Sequence, residues 1–283
     1  MNDKMKNLAV RTLSGVVLAV VVVGAVVWSQ WSFGLLLLAL LAGGLSEFYA
    51  LAARDDVRPQ RAVGLVMGVV LLALNFAFVC DDIEILGSAR HLFGAGLAFL
   101  LLLIPGMLVC ELYRRGTNPA ASVGTTLLGV CYVALPLSSM CYIPIVGSET
   151  WNPWVLVACI VIVWANDVFA YLVGMAVGRH KLFERLSPKK TWEGFAGGVI
   201  GAVACGLVCG HLLGRSLWIW AGLAVVVAVA GVLGDLVESM FKRAAGVKDS
   251  GRTIPGHGGV LDRFDALLLA APFVFVYLLF AVN

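Results

Sequence analysis

Charge is what this sequence has least of. Lys, Arg, Asp and Glu together make up 13% of its 283 residues, against 61% apolar residues, whereas soluble domains are about a quarter charged. With a mean hydropathy of +0.96, an ordinary water-soluble globular fold is excluded. The net charge of +3 is too small to serve a polyanion, so no nucleic-acid partner is expected. Seven cysteines are present, at 80, 110, 131, 141, 159, 205 and 209, but none stands in a CxxC or Cys/His ligand spacing. They read as small apolar residues on helices. No repeat of fixed period and no low-complexity tract is evident, whereas transporters commonly carry internal repeats. The basic start (Lys4, Lys6, Arg11) precedes an apolar run without a small-x-small cleavage site. It reads as a retained first span, not a signal peptide.

What the sequence does have is long apolar runs. A membrane-crossing helix needs about 20 apolar residues, and runs of that kind fall near 12–28, 31–49, 62–80, 92–110, 122–147, 153–178, 194–213, 217–241 and 266–282. The expectation is an all-α polytopic membrane protein of about nine transmembrane helices. The weakest boundary is Ser29-Gln30, where a single bent unit is the alternative.

The connections sort by charge. Eighteen of the 20 Lys and Arg residues fall in the N-terminus and in the connections after spans two, four, six and eight. The opposite side keeps only Arg90 and Arg215, beside Asp81, Asp82 and Glu84. Basic connections stay in the cytoplasm, so the N-terminus is expected inside and the C-terminus on the opposite side. Merging the first two spans would scramble this alternation. Residues 1–121 then read as a scaffold region of about four helices. Residues 122–283 read as a catalytic region of about five, with cytoplasmic loops 179–193 and 242–265. In the scaffold only Gly43-Gly44 and Glu47 stand out, and Glu47 reads as a local hydrogen-bond partner. Compact loops and a short N-terminus suit a bacterial inner membrane.

The longer basic interval, KRAAGVKDSGRTIPGHGGVLDRFD, packs eight charged side chains and a histidine between Lys242 and Asp265. Just before it, Asp235, Glu238, Ser239 and Lys242 share one helical face at i, i+3, i+4 and i+7. Asp262 and Asp265 stand at i, i+3 where the last span begins. Three carboxylates, Asp235, Asp262 and Asp265, at two helix ends suit a hard divalent cation that shares its coordination with phosphates. The loop between supplies the opposite sign. Lys242, Arg243, Lys248, Arg252 and Arg263 match phosphate oxygens, and Gly246, Gly251, Gly256, Gly258 and Gly259 let backbone N–H groups approach an anion. His257, set among glycines, can hold a phosphate or a base edge. The interval reads as a metal–nucleotide phosphate site.

The loop GRHKLFERLSPKKTWEGFAGG adds Ser187, Lys189 and Lys190, with Thr191 as the expected N-cap of a helix that carries Trp192 and Glu193 in its first turn. Asn166-Asp167 lies well inside span six, with Tyr171 one turn below. An intramembrane Asp is a functional candidate, with a structural polar bridge as the alternative.

ESMFKRAAGVKDSGRTIPGHGGVLDRFD resembles the signature of the phosphatidate cytidylyltransferase (CDP-diacylglycerol synthase) family, S-x-x-K-R-x-x-x-x-K-D followed by P-x-H-G-G-x-x-D-R-x-D. SPKKTWEGFAGG resembles that family's second block. The likeness is strong over roughly 160–283 and one of character only before that. It implies transfer of CMP from CTP to phosphatidic acid, giving CDP-diacylglycerol and pyrophosphate, by a membrane homodimer. It also implies a divalent metal, Mg²⁺ or Mn²⁺, on residues matching Asp235, Asp262 and Asp265, with K⁺ sharing the site. Lys242, Arg243, Lys248, Asp249, His257 and Arg263 would serve catalysis, and Ser187, Lys189, Lys190, Thr191, Ser239 and Asp167 the substrates. One departure is Val168-Phe169 after Asp167, where the family more often has a small hydroxyl residue or Gly. The competing readings are a CTP-dependent lipid kinase acting on a polyprenol- or phytol-type alcohol, which would release CDP instead of pyrophosphate, and a transporter using Asp167 and Glu47.

Overall fold

A computed structural model of the chain describes residues 3–80, 89–114, 116–147, 150–254, 256 and 258–282. The protein is almost wholly helical, and eight of the described helices are long and apolar enough to cross a membrane. A shorter apolar stretch, Thr12–Trp28, makes a ninth candidate. The chain is thus a multi-pass membrane protein, as its hydropathy demands.

Two compact units divide it, one of Met1–Cys141 with Asp249–Arg263 and one of Tyr142–Lys248 with Phe264–Asn283. In the first, α1 (Asp3–Trp28) and α2 (Gln30–Ala52) are separate helices. The break at Ser29 is built by its side chain, which accepts from Ser32 N at 3.1 Å while Ser32 Oγ takes the Ser29 N–H at 3.0 Å. This reciprocal cap ends the ambiguity of one bent unit. Along α2 the residues Phe33, Leu37, Leu41, Leu45 and Phe48 recur at three- and four-residue steps and are fully buried. Lipid tails are as apolar as leucine, so close packing and hydrogen bonds must hold such helices together. Both are present. Gly68 of α3 (Arg61–Val79) lets Leu45 and Leu41 close in, and a Cβ there would lie 3.0 and 3.2 Å from their methyls. The Tyr49 hydroxyl donates to Thr126 O at 2.8 Å. Gln60 donates through Nε2 to Glu111 Oε2 at 2.7 Å and to Met107 O at 2.9 Å, tying the start of α3 to the end of α4 (Ala89–Arg114).

The fifth span is less regular than its hydropathy suggests. It runs as α5 (Pro119–Gly129), a π-helical turn (Val130–Ala134) and α6 (Leu135–Met140). The wide turn falls just before Pro136, which has no N–H to donate one turn back and whose ring crowds the preceding carbonyls.

In the second unit α7 (Pro153–Val177), α8 (Trp192–Leu212) and α9 (Leu217–Ala244) pack in sequence. Glycines of α8 make both contacts. A Cβ at Gly197 would sit 2.5 Å from Val173 of α7, and one at Gly206 would sit 2.7 Å from Ala224 of α9. Between α7 and α8 lies a hairpin that hydropathy gave no reason to expect, β1 (Lys181–Phe183) paired antiparallel with β2 (Ser187–Thr191). Leu182 and Leu186 anchor it to Phe195, Val232 and Leu236. The last helix, α10, spans Leu261–Val282. From Phe264 onward it belongs to this unit, where Tyr277 donates to Ile219 O at 2.9 Å.

Candidate active site

The functional side chains of the second unit are gathered by a glycine. A Cβ at Gly234 of α9 would collide with the Asp265 carbonyl and lie 3.0 Å from Ala266 Cα. Only glycine admits this approach of α10 to α9, and the next residue along α9 is Asp235. The result is a cluster of Asp235, Glu238 and Asp265, each with a carboxylate oxygen within 4.8 Å of the others.

Two lysines answer it. Lys190, at the end of β2, places Nζ 2.6 Å from Asp235 Oδ2. Lys242 pairs with Glu238 one turn along α9. Ser239 Oγ donates to Asp235 Oδ1 at 3.2 Å, and Asp265 Oδ1 accepts from Ala266 N at 2.8 Å. Glu238 is 1% exposed, so its pairing is a condition of burial. Asp235 and Lys190 are partly exposed and lie on a cavity.

That cavity, of about 380 Å³, is lined by Asp167 and Tyr171 of α7, Lys189, Lys190 and Thr191 of β2, and Asp235 of α9, among others. The volume is in the range of small-ligand sites. Thr191 caps α8 as expected, accepting from Gly194 N at 3.1 Å. Glu193 in the same turn reaches back to accept from Arg179 N at 3.0 Å and His180 N at 3.2 Å, holding the base of the hairpin. Asn166 is buried beside Asp167, donating to its Oδ1 at 3.5 Å. The carboxylates offer hard oxygen ligands and the ammonium groups offer partners for phosphate. A cation-bound polyphosphate needs both.

The remaining sequence candidates fall elsewhere. Ser187 sits on β2, partly buried and outside the cavity lining. Arg243 and Lys248 are exposed, Arg243 Nη1 donating to Val247 O at 3.3 Å. In the first unit, Asp249, Arg252 and Arg263 are exposed along the 249–263 loop. Asp262, the third expected metal ligand, lies in the first unit, where its Oδ2 accepts from Ser250 N at 2.8 Å, Gly259 N at 2.8 Å and Ser250 Oγ at 3.0 Å. Among the described residues the third member of the acidic cluster is Glu238. All three donors come from the loop before α10, so Asp262 also braces that loop. His257 lies outside the described residues. The sequence reading missed the Lys190–Asp235 pair, because 45 positions separate the partners and no spacing rule joins them.

A polytopic helical protein with an acidic cluster, countering lysines and a cavity beside them has the makings of a membrane-embedded transferase of phosphorylated substrates. The comparison with known families makes that specific. The family described as "Cytidylyltransferase family" matches residues 9–281, and the chain belongs to it. Proteins named phosphatidate cytidylyltransferase are similar over nearly the whole length. The one from Brucella abortus biovar 1 (strain 9-941) is 33% identical, with 96% of this chain and 94% of the relative covered. The one from Bacillus subtilis (strain 168) is 34% identical, with 97% and 98% covered. A third, from Staphylococcus aureus (strain COL), is 46% identical over 120 residues, 42% of this chain and 46% of that protein.

Proposed function

We propose that the protein transfers CMP from CTP to phosphatidate, giving CDP-diacylglycerol and pyrophosphate. The observation that carries this reading is the Asp235–Glu238–Asp265 cluster countered by Lys190 and Lys242 in a chain of the cytidylyltransferase family.

Phosphatidate brings its own nucleophile, a phosphate monoester oxygen. With a second pKa of about 6, by analogy with phosphorylated side chains, it is largely deprotonated at neutral pH and needs no protein base. Its oxygen attacks the α-phosphorus of CTP, the bond from that phosphorus to the bridging oxygen breaks, and pyrophosphate leaves with the electron pair. The obstacle is repulsion between two anions. Lys189 and Lys190, on the cavity wall, neutralise phosphate oxygens and fix the line of attack.

The donor set fits a divalent cation. All three clustered groups present carboxylate oxygens, and the Lys190 ammonium already holds a positive charge against Asp235. Asp235 and Asp265 would hold Mg²⁺ or Mn²⁺, with K⁺ nearby, supplying charge neutralisation for the triphosphate. Glu238, committed to Lys242, fixes the lysine beside the cluster. Ser239 orients Asp235, and Asp167 at the cavity wall contacts substrate. Asp249, His257 and Arg263 carry over from the family signature as nucleotide-contacting residues, as do Arg243 and Lys248. The basic connections support an N-terminus on the cytoplasmic side, and the bacterial relatives support an inner membrane. Residues 122–283 supply the chemistry, 1–121 the scaffold, and the chain works as a homodimer.

CTP labelled at the α-phosphate, incubated with phosphatidate, Mg²⁺ and purified protein, tests the reading. Label should enter the organic phase as a nucleotide lipid while pyrophosphate accumulates. Label remaining in water-soluble CDP would instead identify a lipid kinase, and unchanged CTP would sink the proposal.

A further inference from the structure

Glu47 is buried on α2, 7% exposed, in a stretch of helix that otherwise packs apolar side chains. Its carboxylate is saturated from the far end of the sequence. Oε1 accepts from Thr253 Oγ1 at 2.6 Å and from Val260 N at 2.9 Å. Oε2 accepts from Ser250 Oγ at 3.1 Å and from Leu261 N at 3.0 Å. The sequence expectation of a hydrogen-bond partner holds, but the partners are not local. They lie 203 to 214 positions away.

Several features show that the loop is shaped around this carboxylate. A Cβ at Gly251 would lie 2.6 Å from Glu47 Oε1, and one at Gly259 would collide with Oε2. Gly43, one turn before Glu47, admits Val260, since a Cβ there would lie 2.9 Å from its methyl. Gly258 takes φ of 86°, and Ile254 N donates to Gly258 O at 2.8 Å, closing the turn. The Leu261 N–H belongs to the first residue of α10 and the Val260 N–H immediately precedes it, where a helix start needs an acceptor and favours negative charge. Between Asp249 and Arg263 the only large apolar residues before α10 are Ile254 and Val260, too few for a core. Glu47 and Asp262 take the place of that core, sharing the Ser250 hydroxyl.

We infer that Glu47 is a positioning residue for the nucleotide, holding the 249–263 loop in its competent conformation before CTP binds. The inference rests on the proposed transfer reaction. It makes a chemical demand that simple packing does not. An ionised carboxylate is acceptor-only, with about four lone-pair positions on two oxygens, and each oxygen faces one backbone N–H and one hydroxyl. Glutamine has the same shape, but in either flip its NH₂ would face a backbone N–H, of Val260 or Leu261, that cannot turn to accept as a hydroxyl can. Glu47→Gln should therefore loosen the loop, though less than Glu47→Ala. A loop that is competent only part of the time raises the apparent CTP constant by the inverse of that fraction.

The test uses full-length protein in detergent. Trypsin cleavage after Lys248 and Arg252, without nucleotide, reads loop release. KM for CTP and for phosphatidate reads its consequence. Glu47→Gln should speed cleavage by about tenfold or more and raise KM for CTP by about tenfold or more, the scale of losing one hydrogen bond to a charged group, with KM for phosphatidate within about twofold. Thr253→Val, which removes a single donor, should move both readouts the same way by a smaller factor and serves if Glu47→Gln does not fold. Wild-type cleavage and KM for CTP in Glu47→Gln would overturn the inference, as would equal rises in both KM values. If Glu47→Gln is not recovered, wild-type values in Thr253→Val overturn it. Wild-type protein inactive on CTP and phosphatidate would defeat the proposed function alone, since the cleavage comparison needs no substrate.

Discussion

Two groups of carboxylates, one in each compact unit, are built from the same chemistry and satisfied differently. Asp235 and Glu238 pair with lysine ammonium groups, with Asp265 clustered beside them. Glu47 and Asp262 face backbone N–H groups and two hydroxyls that belong to one loop. Lys190, partly exposed, is flexible and compact in charge, so it can yield its place to a cation or swing to a phosphate. A backbone N–H cannot move without undoing the loop. The first group is therefore equipped for exchange and the second for architecture. Partners, more than residue type, separate a candidate ligand from a structural acid.

The sharpest break should come at Lys242. Its loss leaves Glu238, 1% exposed at its side chain, without its cation, and breaking a buried pair costs about 3–5 kcal/mol. Lys242→Met should show a correspondingly lower thermal unfolding midpoint in detergent. Next in size, Asp235→Asn or Asp265→Asn should cut CTP-dependent turnover at least ~100-fold, the scale of removing one group that stabilises transition-state charge, with unfolding unchanged. Near-normal turnover in either would refute the role in catalysis. Smaller again, Gly197→Ala puts a methyl 2.5 Å from Val173 and should destabilise the α7–α8 contact by about 1–3 kcal/mol, read by thermal unfolding. Smallest, Asp262→Asn keeps one acceptor oxygen and should weaken the loop by about 1 kcal/mol. Faster hydrogen exchange at the Ser250 and Gly259 amides checks it.

How much of this was legible before any coordinates follows from the range of each interaction. Spans are local and one-dimensional, so hydropathy located them and charge alternation argued for two helices around Ser29, whose reciprocal cap only the fold revealed. The Thr191 cap was readable because its acceptor and donor are three residues apart. Asp235, Glu238, Ser239 and Lys242 fell on one face by helical arithmetic, and that face does carry the cluster. Period and spacing do not register pairings across the chain. Lys190 with Asp235, and Glu47 with the loop, required the fold. So did the place of Glu238 beside Asp235 and Asp265 and the backbone donors around Asp262, since both residues stand at i, i+3 from another acid. The β1–β2 hairpin escaped notice because its strands are short and its apolar anchors, Leu182 and Leu186, sit in a basic loop.

The most direct test of the central claim is Mn²⁺ binding to the purified protein, followed by electron paramagnetic resonance in wild type, Asp265→Asn and Asp262→Asn. The account predicts saturable binding that is lost with Asp265 and kept without the Asp262 charge. Undiminished binding in Asp265→Asn, or loss in Asp262→Asn alone, would contradict it.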